Sequence, residues 1–169
     1  MSTQVQNKDR QTPEFKTEVV CEVKRSDSDV YRISRKEYKG KHFVDLRIFY
    51  RSKDDADRLI PSGKGIWVEE TLLQELITGL ISARKFNAGE KPEKGNVTSS
   101  VICDIPVSED EVLRISKGCG SKNVFVDIRR FWRKGSGYRP SKRKGIAIHE
   151  SSLDDVITGL MRAEIVHAA

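Results

Sequence analysis

Sulfur and imidazole are scarce in this chain: three cysteines, three histidines and two methionines in 169 residues. Cys21, Cys103 and Cys119 form no CxxC pair and are odd in number, so a disulfide framework is not expected. Cys21 and Cys103 lie in apolar stretches and read as buried, reduced thiols of an intracellular protein. His42, His149 and His167 have no ligand-like spacing to a cysteine or carboxylate cluster, which speaks against a metal site. Apolar runs stay well short of the ~20 residues a membrane span needs, and the polar N-terminus lacks a signal-peptide core. A membrane partner is therefore not expected. Ser/His/Asp and Cys/His sets and a phosphate-binding loop are missing too, so neither an enzyme nor a cofactor is expected.

What the chain does have, it has twice. Arg32-Ile33-Ser34 returns as Arg114-Ile115-Ser116, an offset of 82 residues. Val19–Val23 returns as Val101–Ile105, and Phe43-Val44-Asp45-Leu46-Arg47-Ile48-Phe49-Tyr50 as Phe125-Val126-Asp127-Ile128-Arg129-Arg130-Phe131-Trp132, at the same offset. Lys64-Gly65-Ile66 and Ile77-Thr78-Gly79-Leu80 return at Lys144 and Ile157, an offset of 80, so the two-residue difference falls in a connecting loop. A unit of about 70 residues is marginal by itself, and two copies packed together relieve that. An intramolecular pseudo-dimer is the expected arrangement.

Taken in order, residues 1–16 read as a polar, disordered tail, 17–86 as the first repeat, 87–98 as a linker and 99–169 as the second repeat. Within the first repeat, Glu18–Val23, Val30–Tyr38 and His42–Tyr50 read as strands, with Lys39-Gly40-Lys41 as a tight turn. Val44, Leu46 and Ile48 fall on one strand face; Phe43, Asp45, Arg47 and Phe49 fall on the other. Ile66-Trp67-Val68 reads as a last short strand. A helix is expected from about Glu70, with Thr71-x-x-Gln74 as a capping box and Ser151-x-x-Asp154 as its weaker echo. Leu72, Leu73, Leu76, Ile77, Leu80 and Ile81 form its apolar face, and the second helix is expected to run on to Ile165. Gly79 and Gly159 sit inside these helices at equivalent places, which predicts a close approach, with the other helix as the neighbour expected there. The fold class is α+β: two copies of four or five antiparallel, hairpin-connected strands followed by one helix.

The net charge of +6 suggests an anionic partner, and its distribution is more telling. Tyr38, Lys39, Lys41, Arg47, Tyr50 and Lys64 mix cations with aromatics in the first repeat. In the second the mixture is Arg129, Arg130, Trp132, Arg133, Lys134, Tyr138, Arg139, Lys142, Arg143 and Lys144, with no acid after Asp127 in that stretch. Single-stranded nucleic acid calls for this combination, because cations follow phosphates and aromatic faces stack on unpaired bases. The pairs Asp45/Arg47 and Asp127/Arg129 are explained as well by ion pairs on one strand face as by a site.

The run Ile33–Tyr50 with Lys64-Gly65-Ile66 resembles the C-terminal domain of the positive-cofactor-four family of transcriptional coactivators. The second copy resembles it through Val126–Trp132 and Arg143-Lys144-Gly145-Ile146. The resemblance implies a curved four-stranded sheet with one helix, dimerisation through helices, and sequence-independent binding of single-stranded or unwound DNA. It also implies DNA-contact roles for Tyr38, Lys39, Lys41, Arg47, Tyr50 and Lys64, and for Arg129, Trp132 and Lys144. In the second copy Gly118–Asn123 replaces the aromatic and the basic turn, while Asp54, Asp55 and Asp57 make the first copy's hairpin loop acidic where the second copy's is basic. Unequal halves follow, with the first copy's turn and the second copy's hairpin, including Arg133, Lys134 and Arg143, doing most of the binding. The expected function is single-stranded DNA binding in transcription or in handling unwound DNA, in contact with the transcription machinery. An adaptor for an acidic protein and an RNA-binding protein are the alternatives. The nucleus is the expected compartment, the bacterial cytoplasm the other choice.

Overall fold

The computed structural model describes residues 15–90 and 92–164. Most of the polar tail and the expected helix end at Ile165 lie outside the described residues. Each half of the chain is an antiparallel meander that runs into a helix. The first contains β1 (Lys16–Lys24), β2 (Asp29–Tyr38), β3 (Lys41–Arg51), β4 (Leu59–Glu69) and α1 (Glu70–Lys85). The second contains β5 (Val97–Pro106), β6 (Glu111–Gly120), β7 (Val124–Lys134), β8 (Gly137–His149) and α2 (Glu150–Ala163). The expected short strand at 66–68 is the end of β4, which shifts register against β3 between Arg47 and Phe49 and then continues. A bulge keeps one strand going where the sequence pattern breaks, so each half has four strands.

The eight strands form one sheet in the order β1-β2-β3-β4-β8-β7-β6-β5, joined at its centre where Gly65 of β4 faces Gly145 of β8. Strand alternation gives this sheet two different faces. Tyr31, Ile33, Val44, Leu46, Ile48, Ile66 and Val68 are buried on the side that carries the helices, as are Leu113, Ile115, Val126, Ile128, Ile146 and Ile148. They share one apolar core with Leu73, Leu76, Leu80, Leu153, Val156 and Leu160 of the helices. Residues of the opposite parity, among them Arg32, Lys36, Phe43, Arg47 and Trp67, form the outer face.

The helices cross over. A Cβ built on Gly79 of α1 would collide with Ile115 of β6 and lie 2.9 Å from Cys103 Sγ of β5. One on Gly159 of α2 would lie 2.6 Å from both Cys21 Sγ of β1 and Ile33 Cδ1 of β2. The close approach expected of these glycines is therefore real, but its object is the other half's sheet rather than the other helix. Glycine is needed because the strand side chains occupy the space a Cβ would take. α1 and α2 also meet, with Arg84 Nη1 3.2 Å from Asp154 Oδ1.

Cations at equivalent places fasten the crossover. Arg35 of β2 donates to the carbonyls of Arg162 and Ala163 at 2.6 and 3.1 Å. Lys117 of β6 donates to those of Ala83, Arg84 and Phe86 at 2.9, 3.4 and 2.6 Å, and reaches Glu150 at 3.3 Å. Each half thus places a cation on the last carbonyls of the other half's helix. Two further ties cross the junction: the Tyr31 hydroxyl donates to the Ala147 carbonyl at 3.3 Å, and Arg130 donates to the Trp67 carbonyl at 2.8 Å. The expected capping boxes do not form. Helix α1 begins at Glu70 and α2 at Glu150, so Thr71 and Ser151 already lie in the first turn, and Glu69 and His149 stand at the caps without a side-chain capping bond. A strand feeding directly into a helix leaves no turn in which to place such a cap.

Candidate nucleic-acid interface

The centre of the outer face is nearly two-fold symmetric. Arg47 lies over Gly65, where an added Cβ would sit 2.7 Å from its guanidinium carbon; Arg129 lies over Gly145, at 2.5 Å. Arg47 donates to Asp45 at 3.0 and 3.3 Å and to the Ser62 carbonyl at 3.1 Å. Arg129 repeats this with Asp127 at 3.2 Å and the Ser141 carbonyl at 3.0 Å. Both guanidinium groups are largely covered and neutralised at short range, so their first task is to hold the bulged β4 and β8 against β3 and β7. Beside them Arg32 stacks over Phe49 at 4.1 Å and Arg114 over Phe131 at 4.4 Å.

The outer end of the first half is aromatic. Tyr38 ends β2 and stacks on Phe15 with ring centroids 4.6 Å apart and planes at 14°. Trp67 meets Phe15 edge-on at 5.4 Å and Phe43 at 5.4 Å. Lys36 Nζ stands 5.1 Å from the Trp67 ring and Lys39 Nζ 5.2 Å from the Tyr38 ring. The Lys39-Gly40 turn has φ of 48° and 75°, the left-handed pair that matches the twist of a two-residue hairpin. It leaves Lys39 and Lys41 exposed beside Tyr38. Four rings and three lysines thus share one patch, placed there by β-alternation and the hairpin turn.

The remaining expected residues lie elsewhere. Tyr50 and Trp132 are 43% and 44% exposed, but strand parity places them with Ile48 and Arg130, away from Arg47 and Arg129. Tyr50 shares a hollow with Lys64, Ser62, Arg25 and Asp29. Trp132 sits in the second hairpin with Arg133, whose guanidinium lies 5.7 Å from the Tyr138 ring, and with exposed Lys134, Arg143 and Lys144. Arg130 points inward to Trp67 and Glu111 and is a packing residue.

Sequence reasoning overlooked Trp67, Phe43, Lys36 and Phe15 as interface residues. The signal was present for Trp67: it stands between the buried Ile66 and Val68, so it must face outward. The two equivalent thiols, Cys21 and Cys103, have pKa values raised by burial, which makes them poor nucleophiles. Among the described residues no cluster of histidine, cysteine and carboxylate could hold a metal ion, and no helix is long and apolar enough to cross a membrane.

A helix-backed antiparallel sheet with rings and cations on its other face is the kind of surface on which unpaired bases stack. Residues 26–79 match the family model described as Transcriptional Coactivator p15 (PC4). Two crystal structures of a PC4 homolog from Burkholderia pseudomallei K96243, orthorhombic and tetragonal, are similar to the chain at 28% identity and a TM-score of 0.39. They cover 41% of this chain and 92% and 100% of their own. Among curated proteins none matches.

Proposed function

We propose that the chain binds single-stranded DNA, largely without regard to sequence, and that residues 97–164 form a second domain of the same family. The two halves act as an intramolecular counterpart of a dimer, held by the crossed helices and their carbonyl-capping cations. The observation that carries this reading is the patch of Tyr38, Phe43 and Trp67 with Lys36 and Lys39, inside the segment that matches the family, joined by Phe15 from just before β1. Stacking is sequence-tolerant because every base has a π-face, and the lysines supply phosphate contacts. Tyr38, Lys39, Lys41 and Arg47 serve the first half of the surface. Arg129, Arg133, Lys134, Arg143 and Lys144 serve the second, while Tyr50, Lys64 and Trp132 engage a strand that wraps the hairpin ends. A role in transcription, or in covering unwound DNA, follows from the family. The solved relatives are bacterial, and they lend no support to the nucleus expected from the sequence.

Fluorescence anisotropy with a labelled single strand, its duplex and the matching RNA, each across a salt series, tests this. A single-strand preference of roughly tenfold, with affinity falling as salt rises, is expected. Equal, weak binding of all three that vanishes at physiological salt would instead favour an adaptor whose basic surface meets an acidic protein.

A further inference from the structure

The two ends of the outer face are built on the same backbone and filled differently. In the first half the rings of Phe15, Tyr38 and Trp67 and the lysine chain of Lys36 occupy the space around Phe43. The equivalent residues of the second half are Val97, Gly120, Ala147 and Gly118 around Phe125. The register is the same: Val97 faces Gly120, Gly118 faces Phe125, and Asp127 faces Ala147. Four large side chains have been replaced by small ones while the strands stay in place. What remains is a hollow of about 360 Å³. The Phe125 ring lies directly over Gly118, where a Cβ would collide with it, so one ring face is packed on the strand and the ring stays only half-buried. Lys122 and Asn123, both exposed, and Arg25 of the other half stand at its rim.

We infer that this hollow is a pocket for one nucleobase of the bound single strand, stacked on Phe125, with its phosphate toward Lys122 and Arg25. The inference rests on the single-strand reading above and adds a division of labour to it. The first half offers a filled platform on which bases lie; the second offers an empty seat into which one base enters. The volume suits a flat ring system of that size. Asn123 and Ser121 supply hydrogen-bonding groups, and the cations set the polarity of the occupant: flat, polar-edged and attached to an anion.

The test uses the full chain and thymidine 5′-monophosphate, followed by NMR at the Gly118 and Gly120 amides and the Phe125 ring. Ribose 5-phosphate serves as a base-free control and N-acetyl-tryptophanamide as a protein-like ring. Saturable shifts with the nucleotide, absent with the sugar phosphate, are expected. The double variant Gly120→Leu/Ala147→Leu, which fills the hollow without adding a ring, removes those shifts. It also weakens oligothymidine binding about five- to tenfold, the low end of one base stack. Phe125→Leu keeps the hollow but removes the platform, and loses the shifts as well. If oligothymidine binds and the filled variant binds it equally well, the pocket is refuted and the single-strand reading stands. If the nucleotide shifts these residues while oligothymidine fails to bind, the single-strand reading falls alone. Shifts with N-acetyl-tryptophanamide only would overturn the pocket in favour of a protein side chain.

Discussion

The first half packs its outer end with Phe15, Tyr38, Phe43 and Trp67 and keeps an acidic hairpin loop; the second half keeps only Phe125 there and carries its cations on the hairpin. Their helix-side faces, by contrast, match nearly residue for residue, down to the cation that closes each helix. The core is held constant because both helices must fit both sheets, and any change there is felt on each side of the crossover. The outer face has no such obligation. Two halves that share a core can therefore diverge on one face alone: here most rings gather on the first half and the hairpin cations on the second.

The largest expected effect probes the shared face. Lys117 is almost fully buried and Arg35 partly exposed, although they do the same job. Lys117→Ala should cost about 2–3 kcal/mol of unfolding free energy, because it removes the hydrogen bonds of a buried ammonium to three carbonyls, and Arg35→Ala about 1. Chemical denaturation measures both; equal costs would mean that water reaches the two helix ends alike. Next come the rings. Trp67→Ala should weaken single-strand binding roughly tenfold, within the range of one base stack, and Trp132→Ala less than threefold. The reverse order in a competition assay would move the stacking site to the hairpin. Charge follows. Arg143→Gln with Lys144→Gln should lower the slope of log affinity against log salt by about 1.4, as two lost phosphate contacts require, with little change in base-stacking signals. An unchanged slope would exclude the second hairpin from the path of the strand. Smallest is the thiol chemistry, where the halves should agree. Burial raises the pKa of both Cys21 and Cys103, so at mildly alkaline pH both hold less thiolate than a free cysteine and alkylate more slowly. Mass spectrometry that finds one of them fast would show that its helix lifts off the sheet more readily than the other.

Much of this was legible in the residues. The alternation in 43–49 assigned both faces of β3 correctly, and the Lys39-Gly40 turn was fully determined by its composition. Lys39, Lys41 and Tyr38 do share a patch. Less legible was anything that depends on a partner far along the chain. Arg35 and Lys117 look like surface cations by charge, although parity sets them beside Ile33 and Ile115, and they cap helices 127 and 34 residues away. Tyr50 and Trp132 look equivalent to interface residues by spacing, yet the strand turns them from the outer face. Trp67 was read only as part of a short strand, because a three-residue apolar run hides its alternation with Ile66 and Val68.

The sequence by itself determined the strand faces, the helix stripes and the places where only glycine would do. Each of these is set by neighbours within a turn or a strand, where backbone geometry leaves few choices. Only the tertiary structure decided what those glycines face, which helix covers which sheet, and that four small residues around Phe125 leave a hollow. Those outcomes depend on how two units meet, and the pattern that makes a face apolar carries no information about which apolar face it will cover.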